Sequence, residues 1–427
     1  MGSLDIAKAR AAFPSLRTGY IYADNAGGSQ TAQPVIDNIT DYLCNTNVQL
    51  GASYSMGVQS TQRVTDGSVA ASLLFNAASV DEVGYGPSST MVFENMARAL
   101  DDDVHPGDEF IITGEHEANN GPWKRLAQRR GAVVKYWRTV TVDEGNPYSF
   151  TYNTEDLVSL VSPKTRIVAI TACSNILGSI YPIQDIVRAL RQRAAQVGAR
   201  KVEVAVDCVA YAPHRRIDVR EWDIDYCVFA LYKMYGAHNA AFYIRATALQ
   251  SSLKSIVHDF LAVNNSKQKI QLGGPGYELV HGASGVVSYL LSLTPENNLD
   301  ATLLRPLLAF LTDKQQYDRG VRLVGTSTID LSRVPTVSFV VTGRRAMKSK
   351  DIVAEFDKER DIGIRYGHFY AYGLIVNAAP KLDPDDGVVR ISLVHYNTVE
   401  EVERIVGVLR RSYYRSGAPP PVMSSKV

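Results

Sequence analysis

The chain has 427 residues, 45% of them hydrophobic, with 45 Lys and Arg against 44 Asp and Glu. That length predicts one large and one smaller domain with ample core, and the even charge balance argues against nucleic acid or an acidic membrane surface as partner. Cys44, Cys173, Cys208 and Cys227 show no CxxC spacing, which argues against a zinc site and a disulfide framework and fits a reducing compartment.

The N-terminus, "MGSLDIAKARAAFPSL", lacks the apolar core of a signal peptide, and no stretch approaches the roughly 18 uninterrupted apolar residues of a membrane span. A cytoplasmic protein is expected. In the middle of the chain, short β-branched runs alternate with amphipathic stretches: "DEFIITG", "GPWKRLAQRRG", "AVVKYW", "TRIVAITAC", "IQDIVRALRQRAAQVG", "KVEVAVDC" and "CVFALYKMYG". This is the pattern of an α/β fold, a mostly parallel sheet covered by helices. Further on, "LLRPLLAFLTDKQQYDRGVRLV" has helical periodicity, "TVSFVVTG" and "DGVVRISLVHYN" read as strands, and "TVEEVERIVGVLRRSYYR" reads as a closing helix. The expected division is a large domain over 16–290, a smaller α+β domain from 1–15 and 291–415, and a disordered Pro- and Ser-rich tail over 416–427.

Parallel sheets bind ligands beyond the carboxyl ends of their strands, and His116, Asn175, Asp207 and Lys233 fall at four such ends. Lys233 stands in an apolar, aromatic run. Either its stem packs there while the amine reaches solvent, or the apolar surround keeps the amine neutral, as a Schiff-base lysine requires. Asp207, on the preceding strand, is either a cap or ion-pair residue or the carboxylate that holds the pyridinium of pyridoxal phosphate, an electron sink. In "GPSST", Ser88, Ser89 and Thr90 precede the helical "MVFENMARAL". Hydroxyls and free N–H groups at a helix start suit a phosphate, and equally a plain N-cap.

"DCVAYAPH", followed by "IDVREWDIDYCVFALYKMYG", resembles the cofactor segment of the class V aminotransferases, in their cysteine-desulfurase-like branch. The resemblance runs through "YADNAGGSQTAQPVIDNITDYL", "GDEFIITGEHEANNGPWKRLAQRRGA" and "TRIVAITACSNILGSIYPI" to "GVVRISLVHYNTVEEVERI", almost the whole chain. It implies a pyridoxal-phosphate-dependent transferase of fold type I with a seven-stranded type of sheet. By position, Lys233 would bind the cofactor covalently and act as base at Cα, Asp207 would hold the pyridinium protonated, His116 would stack on the ring, and Asn175 would lie near the phenolic oxygen. Ser88, Ser89, Thr90 and Tyr232 would hold the phosphate. "GGPGYE" matches a segment that reaches the partner's phosphate in a homodimer with shared sites, with Gly274 where the family carries a threonine. Arg390 matches the clamp for the substrate α-carboxylate. Arg365 is a second contact or a structural ion pair, and Ala26, His368 and Tyr370 complete the substrate side. Tyr54 and His238 are further pocket candidates or simply aromatic packing.

The sequence departs from that family in several places. Tyr370 stands where persulfide-forming members carry a cysteine, and no cysteine follows Cys227. Ala230 and Tyr232 replace a serine and a histidine that donate to phosphate, and Ala210 replaces a glutamine. The branch without the cysteine includes enzymes that cleave or form bonds at an amino acid's side chain. The expectation is therefore a pyridoxal-phosphate enzyme working on an amino acid through a Cα carbanion, with lyase chemistry such as β-elimination or C–S cleavage. Decarboxylative carbon–carbon bond formation, transamination and an inert cofactor-binding protein stand as alternatives. No metal is expected.

Overall fold

Seven strands form the main sheet of the computed structural model, which describes residues 4–261, 269–293 and 299–415. The tail over 416–427 lies outside the described residues. In chain order the strands are β1 (Val83–Gly86), β2 (Glu109–Ile112), β3 (Val133–Tyr136), β4 (Thr165–Thr171), β5 (Glu203–Asp207), β6 (Tyr226–Ala230) and β7 (Ala240–Ile244). They lie in the order β1-β7-β6-β5-β4-β2-β3. Every neighbouring pair is parallel except those of β7, which runs antiparallel to both β1 and β6. This is the mostly parallel, fold type I sheet expected.

Side chains alternate between its faces. Ile111, Val168, Val204, Val206, Cys227 and Phe229 enter one core, and Phe110, Ile112, Ile167, Ala169, Ala205, Tyr226 and Val228 enter the other. The period of two places successive residues on opposite faces, and because both faces are covered the strands read as unbroken apolar runs. One layer contains α1 (Gln33–Asn45), α2 (Ser55–Phe75) and α6 (Tyr277–Leu291). Their backbones touch: a Cβ on Gly67 would lie 2.1 Å from the Val280 carbonyl oxygen, and one on Gly285 would lie 2.6 Å from the Pro34 carbonyl. Between α2 and α6 in the chain come α3 (Ser89–Ala99), α4 (Gly121–Arg130) and α5 (Ile183–Val197), the last two ending on the left-handed glycines Gly131 and Gly198.

The smaller sheet has β8 (Val321–Val324), β9 (Thr336–Val341), β10 (Arg365–Gly367) and β11 (Val388–Ser392), all antiparallel in the order β8-β9-β11-β10. Helices Leu299–Leu311 and Val399–Arg415 accompany it. The helical periodicity expected through "VRLV" is corrected here. Gly320, at φ 106°, ends the short helix Lys314–Arg319, and Val321–Val324 pairs with β9. β-Branched residues after a left-handed glycine favour a strand over another helical turn.

The two cores exchange segments. Phe13 and Leu16 belong to the large core, while Ile21 and Ala23 belong to the small one, and Ile21–Tyr22 pairs in parallel with Ile362–Gly363. In the opposite sense Val394 and Tyr396, just after β11, pack into the large core. His395 between them is bonded at both ring nitrogens. Its Nδ1 donates to the Tyr235 hydroxyl oxygen (3.0 Å), whose own proton goes to the Pro213 carbonyl (2.8 Å), and its Nε2 accepts from Tyr289. Burial and nearby His214 lower its pKa to about 3, so it is neutral. Among the described residues no helix is long and apolar enough to cross a membrane, and no group of three or more His, Cys, Asp or Glu could hold a metal ion.

Candidate active site

Parallel register brings four polar groups to one edge of the sheet. Thr171 pairs with Asp207, and Asp207 pairs with Val228. The strands then release His116 after β2, Asn175 after β4 and Lys233 at the end of the one-turn helix Leu231–Lys233. Lys233 thus lies a turn beyond its strand rather than within it.

Lys233 is buried, at 5% exposure. Burial and Arg390 lower its pKa to about 8 against the opposing pull of Asp207 and Asp24. Its Nζ lies 5.9 Å from the Tyr232 ring centroid. The carboxylate of Asp24 is already taken by Arg390 and Arg365. Asp207, also buried, accepts the Val209 N–H at Oδ1 (2.8 Å). Burial raises it to about 6 even though that N–H and Lys233 favour its charge. His116 is partly buried, and desolvation, Lys233 and Arg390 lower it to about 3. Its Nδ1 accepts the Ala118 N–H (3.2 Å), so the single proton of the neutral ring is assigned to Nε2.

Glu115, beside His116, was not anticipated from sequence. It is buried, accepts the Ser174 hydroxyl at Oε2 (2.9 Å), and has no partner for Oε1 among the described residues. Burial and the neighbouring Asp207 raise it to about 7. Ser174 also receives the N–H groups of Ile176 and Leu177, so Glu115 ties the His116 loop to the Asn175 turn. That turn rests on Gly178, at φ 71°, where a Cβ would lie 2.3 Å from the Thr336 carbonyl of β9. Gly178→Ala is expected to lower stability by about 1–3 kcal/mol through backbone strain alone, with overlap adding to it; a denaturant titration measures this.

On the substrate side, Arg390 is fully buried. Its Nη2 donates to Asp24 Oδ1 (2.7 Å) and its Nη1 to the Asn175 carbonyl (3.2 Å). Arg365 is half exposed, with Nη1 3.3 Å from Asp24 Oδ2. Asn175 donates its amide to the Phe369 carbonyl (2.9 Å). Phe369 and Tyr370 both adopt left-handed backbone, at φ 49° and 62°. Two bulky residues in that region are strained unless their surroundings hold them. Here the Tyr370 carbonyl accepts the Glu117 N–H (2.8 Å) and its own N–H meets His368 Nδ1 (3.1 Å). The Tyr370 ring is exposed, with its centroid 5.4 Å from that of His116. The Ala26 N–H is already given to Ser392 Oγ (2.9 Å).

On the phosphate side, Ser88 caps α3 by accepting the Met91 N–H (3.2 Å), Ser89 is buried and Thr90 is exposed. The leading N–H groups of α3 lie outside its helical ladder. Tyr232 stacks on His238, with centroids 5.0 Å apart and planes at 9°. Gly274 lines a cavity of about 250 Å³ with Gly86, Pro87, His238 and Asn239. Tyr54, half exposed before α2, shares no hydrogen bond or ring contact with Lys233 or Tyr232 among the described residues. Asp24 and Phe369 complete the site; Asp24 falls inside a stretch that carried the resemblance and Phe369 lies outside those stretches, and nothing local in the sequence marks either role.

A family model, aminotransferase class-V, matches residues 21–405. The chain belongs to the class-V aminotransferases. The "aminotransferase-like protein FGM3" of Gibberella zeae is 40% identical over 419 residues, covering 95% of this chain and 98% of that one. The "cysteine desulfurase-like protein ustD" of Aspergillus flavus is 30% identical, covering 93% and 88%. Among solved structures, the cysteine desulfurase CsdA of Escherichia coli superposes with a TM-score of 0.80 at 22% identity, covering 97% of this chain and 100% of that one. A C-DES mutant with glycine covalently linked to its PLP cofactor does so at 0.75 and 18% identity, covering 94% and 98%.

The cofactor of this class-V aminotransferase, in its cysteine-desulfurase-like branch, is pyridoxal 5'-phosphate. The residues present fit that group. Lys233 is a buried amine of depressed pKa, Asp207 is a buried carboxylate one strand away, and Asn175 has spent one of its two amide protons.

Proposed function

We propose that the chain is a pyridoxal-phosphate enzyme that frees the Cα proton of an amino acid and then breaks a bond in its side chain, by β-elimination or C–S cleavage. The observation that carries this reading is a buried Lys233 amine beside Asp207, under a loop that presents Tyr370 in place of a thiol. The bound cofactor supplies an electron sink for a carbanion at Cα. Lys233 would hold it covalently and would take the Cα proton at Nζ. Asp207 would keep a proton on its pyridine nitrogen. Ser88, Ser89, Thr90 and the start of α3 would hold the phosphate, with Tyr232 as a further donor. His116, a neutral imidazole, would cover the ring, Asn175 would serve the phenolic oxygen, and Arg365 with Arg390 would receive the α-carboxylate.

Persulfide transfer needs a reactive thiol near the substrate. Cys173 and Cys208 are buried, and burial pushes both thiols far above the usual range. Cys208 and Cys227 only touch each other, at 3.3 Å between sulfurs, and exposed Cys44 lies in α1. The same reading makes the protein a homodimer, with the Gly274 segment reaching the partner's phosphate.

The test is product analysis by mass spectrometry with L-cysteine, its thioethers, and aspartate plus an aldehyde. The expected result is a keto acid with ammonia or a released thiol. A hydroxylated amino acid would move the reading to carbon–carbon bond formation, amine transfer to an added keto acid would move it to transamination, and no product with any amino acid would leave a cofactor-binding protein.

A further inference from the structure

Arg390 is not an open receptor for a carboxylate. It is 1% exposed. Two of its nitrogens are engaged by Asp24 and the Asn175 carbonyl, and its Nε is buried without a partner among the described residues. The face of its guanidinium is covered by Phe369, whose ring centroid lies 3.7 Å from Cζ. The same ring stands 5.2 Å from Cζ of Arg365, which is 50% exposed. One phenyl ring therefore contacts two cations, and one carboxylate, Asp24, is shared between them. The surplus is a single positive charge. Beside Arg365 opens a cavity of about 490 Å³, lined in part by Tyr20, Tyr22, Asp24, Gly27 and Gly28. A Cβ on Gly27 would lie 2.6 Å from Asp24 Oδ2 and 3.0 Å from Arg365 Nη1, so the glycine keeps the approach to that pair clear.

Phe369 itself is firmly held. It is 5% exposed, packs in an interdomain cluster with Ile176, Leu177 and Val388, and accepts the Asn175 amide at its carbonyl from a left-handed conformation. We propose that Phe369 is a positioning residue for substrate recognition: its ring locks Arg390 onto Asp24 and spaces it from Arg365, so that the pair receives one α-carboxylate from the Arg365 side. This rests on the reading of the site as an amino-acid site. A planar guanidinium on a desolvated aromatic face keeps its orientation at little entropic cost. Without the ring, water and rotation reach Arg390, and the geometry offered to the carboxylate is lost.

The experiment is an equilibrium titration of the absorbance of the cofactor-loaded protein with L-alanine and L-serine, beside their decarboxylated counterparts ethylamine and ethanolamine. Phe369→Leu keeps an apolar, somewhat smaller side chain without the π face, and Phe369→Tyr keeps the ring. The expected result is that Phe369→Leu weakens binding of the two amino acids about tenfold, leaves binding of the amines and retention of pyridoxal phosphate unchanged, and melts near the wild type. Phe369→Tyr restores amino-acid binding. Equal amino-acid affinity in Phe369→Leu and wild type overturns the inference, and so does an equal loss for amines and amino acids, which would signal a general loosening. A wild type that answers to no amino acid overturns the functional reading itself, and this inference with it.

Discussion

Lys233→Ala is expected to abolish the borohydride-reducible link between chain and pyridoxal phosphate and to lower turnover of any amino acid by at least about 10⁴-fold, the upper end of what one positioned acid–base group supplies. Intact-mass measurement after reduction reads the first effect directly, and a retained adduct in the variant would place the anchor on another lysine. The wild type carries a pH signature of the same residue. An ordinary lysine amine stays protonated up to its usual 10.5, whereas burial and Arg390 bring Lys233 to about 8. The neutral form therefore grows as pH rises through that value. Capture of pyridoxal phosphate by the cofactor-free protein should accelerate with a midpoint near pH 8 and level off about one unit higher. A rate that keeps climbing toward 10.5 would show that the pocket does not depress this amine.

The second large effect is expected at Asp207. Asp207→Asn keeps the shape and the Val209 contact but removes the charge that holds a proton on the cofactor nitrogen. Removing a preorganised charge from such a site costs about 10²- to 10³-fold in kcat, while the link through Lys233 persists. A variant within tenfold of wild type would take Asp207 out of that role. Because the carboxyl is raised to about 6 before the cofactor enters, the charge is present at neutral pH and fades as pH falls below that value. Glu115, raised to about 7 chiefly by burial and in part by the Asp207 charge, titrates just above it.

The strand ends were legible because a parallel sheet converts a one-dimensional rhythm into a shared edge. Once β2, β4, β5 and β6 were read as parallel, His116, Asn175, Asp207 and Lys233 had to lie along it. The strand β8 was hidden because "VRLV" continues an apolar rhythm that fits a helix as well as a strand, and only pairing with β9 decides between them. Asp24 and Phe369 were hidden for a different reason. Asp24 meets Arg390 across 366 positions of sequence, and Phe369 meets Asn175 across 194. Nothing in "YADNAGGSQ" or "GHFYAY" displays such a partner. Arg390 illustrates the limit of a motif: its identity as an arginine of the site was visible, but its being covered was not.

The histidine pinned between Tyr235 and Tyr289 bears on how the molecule moves. His395 follows a strand of the small sheet, yet both its nitrogens are spent inside the large core, where Phe13 also packs edge-on against the same tyrosines. Moving the small sheet against the large core would break both bonds and expose that aromatic nest. Beside the firmly held Phe369, the exposed ring of Tyr370 keeps its side-chain freedom. Flips of such an exposed side chain take about picoseconds to nanoseconds, far less than the microsecond-to-millisecond closure of a hinge.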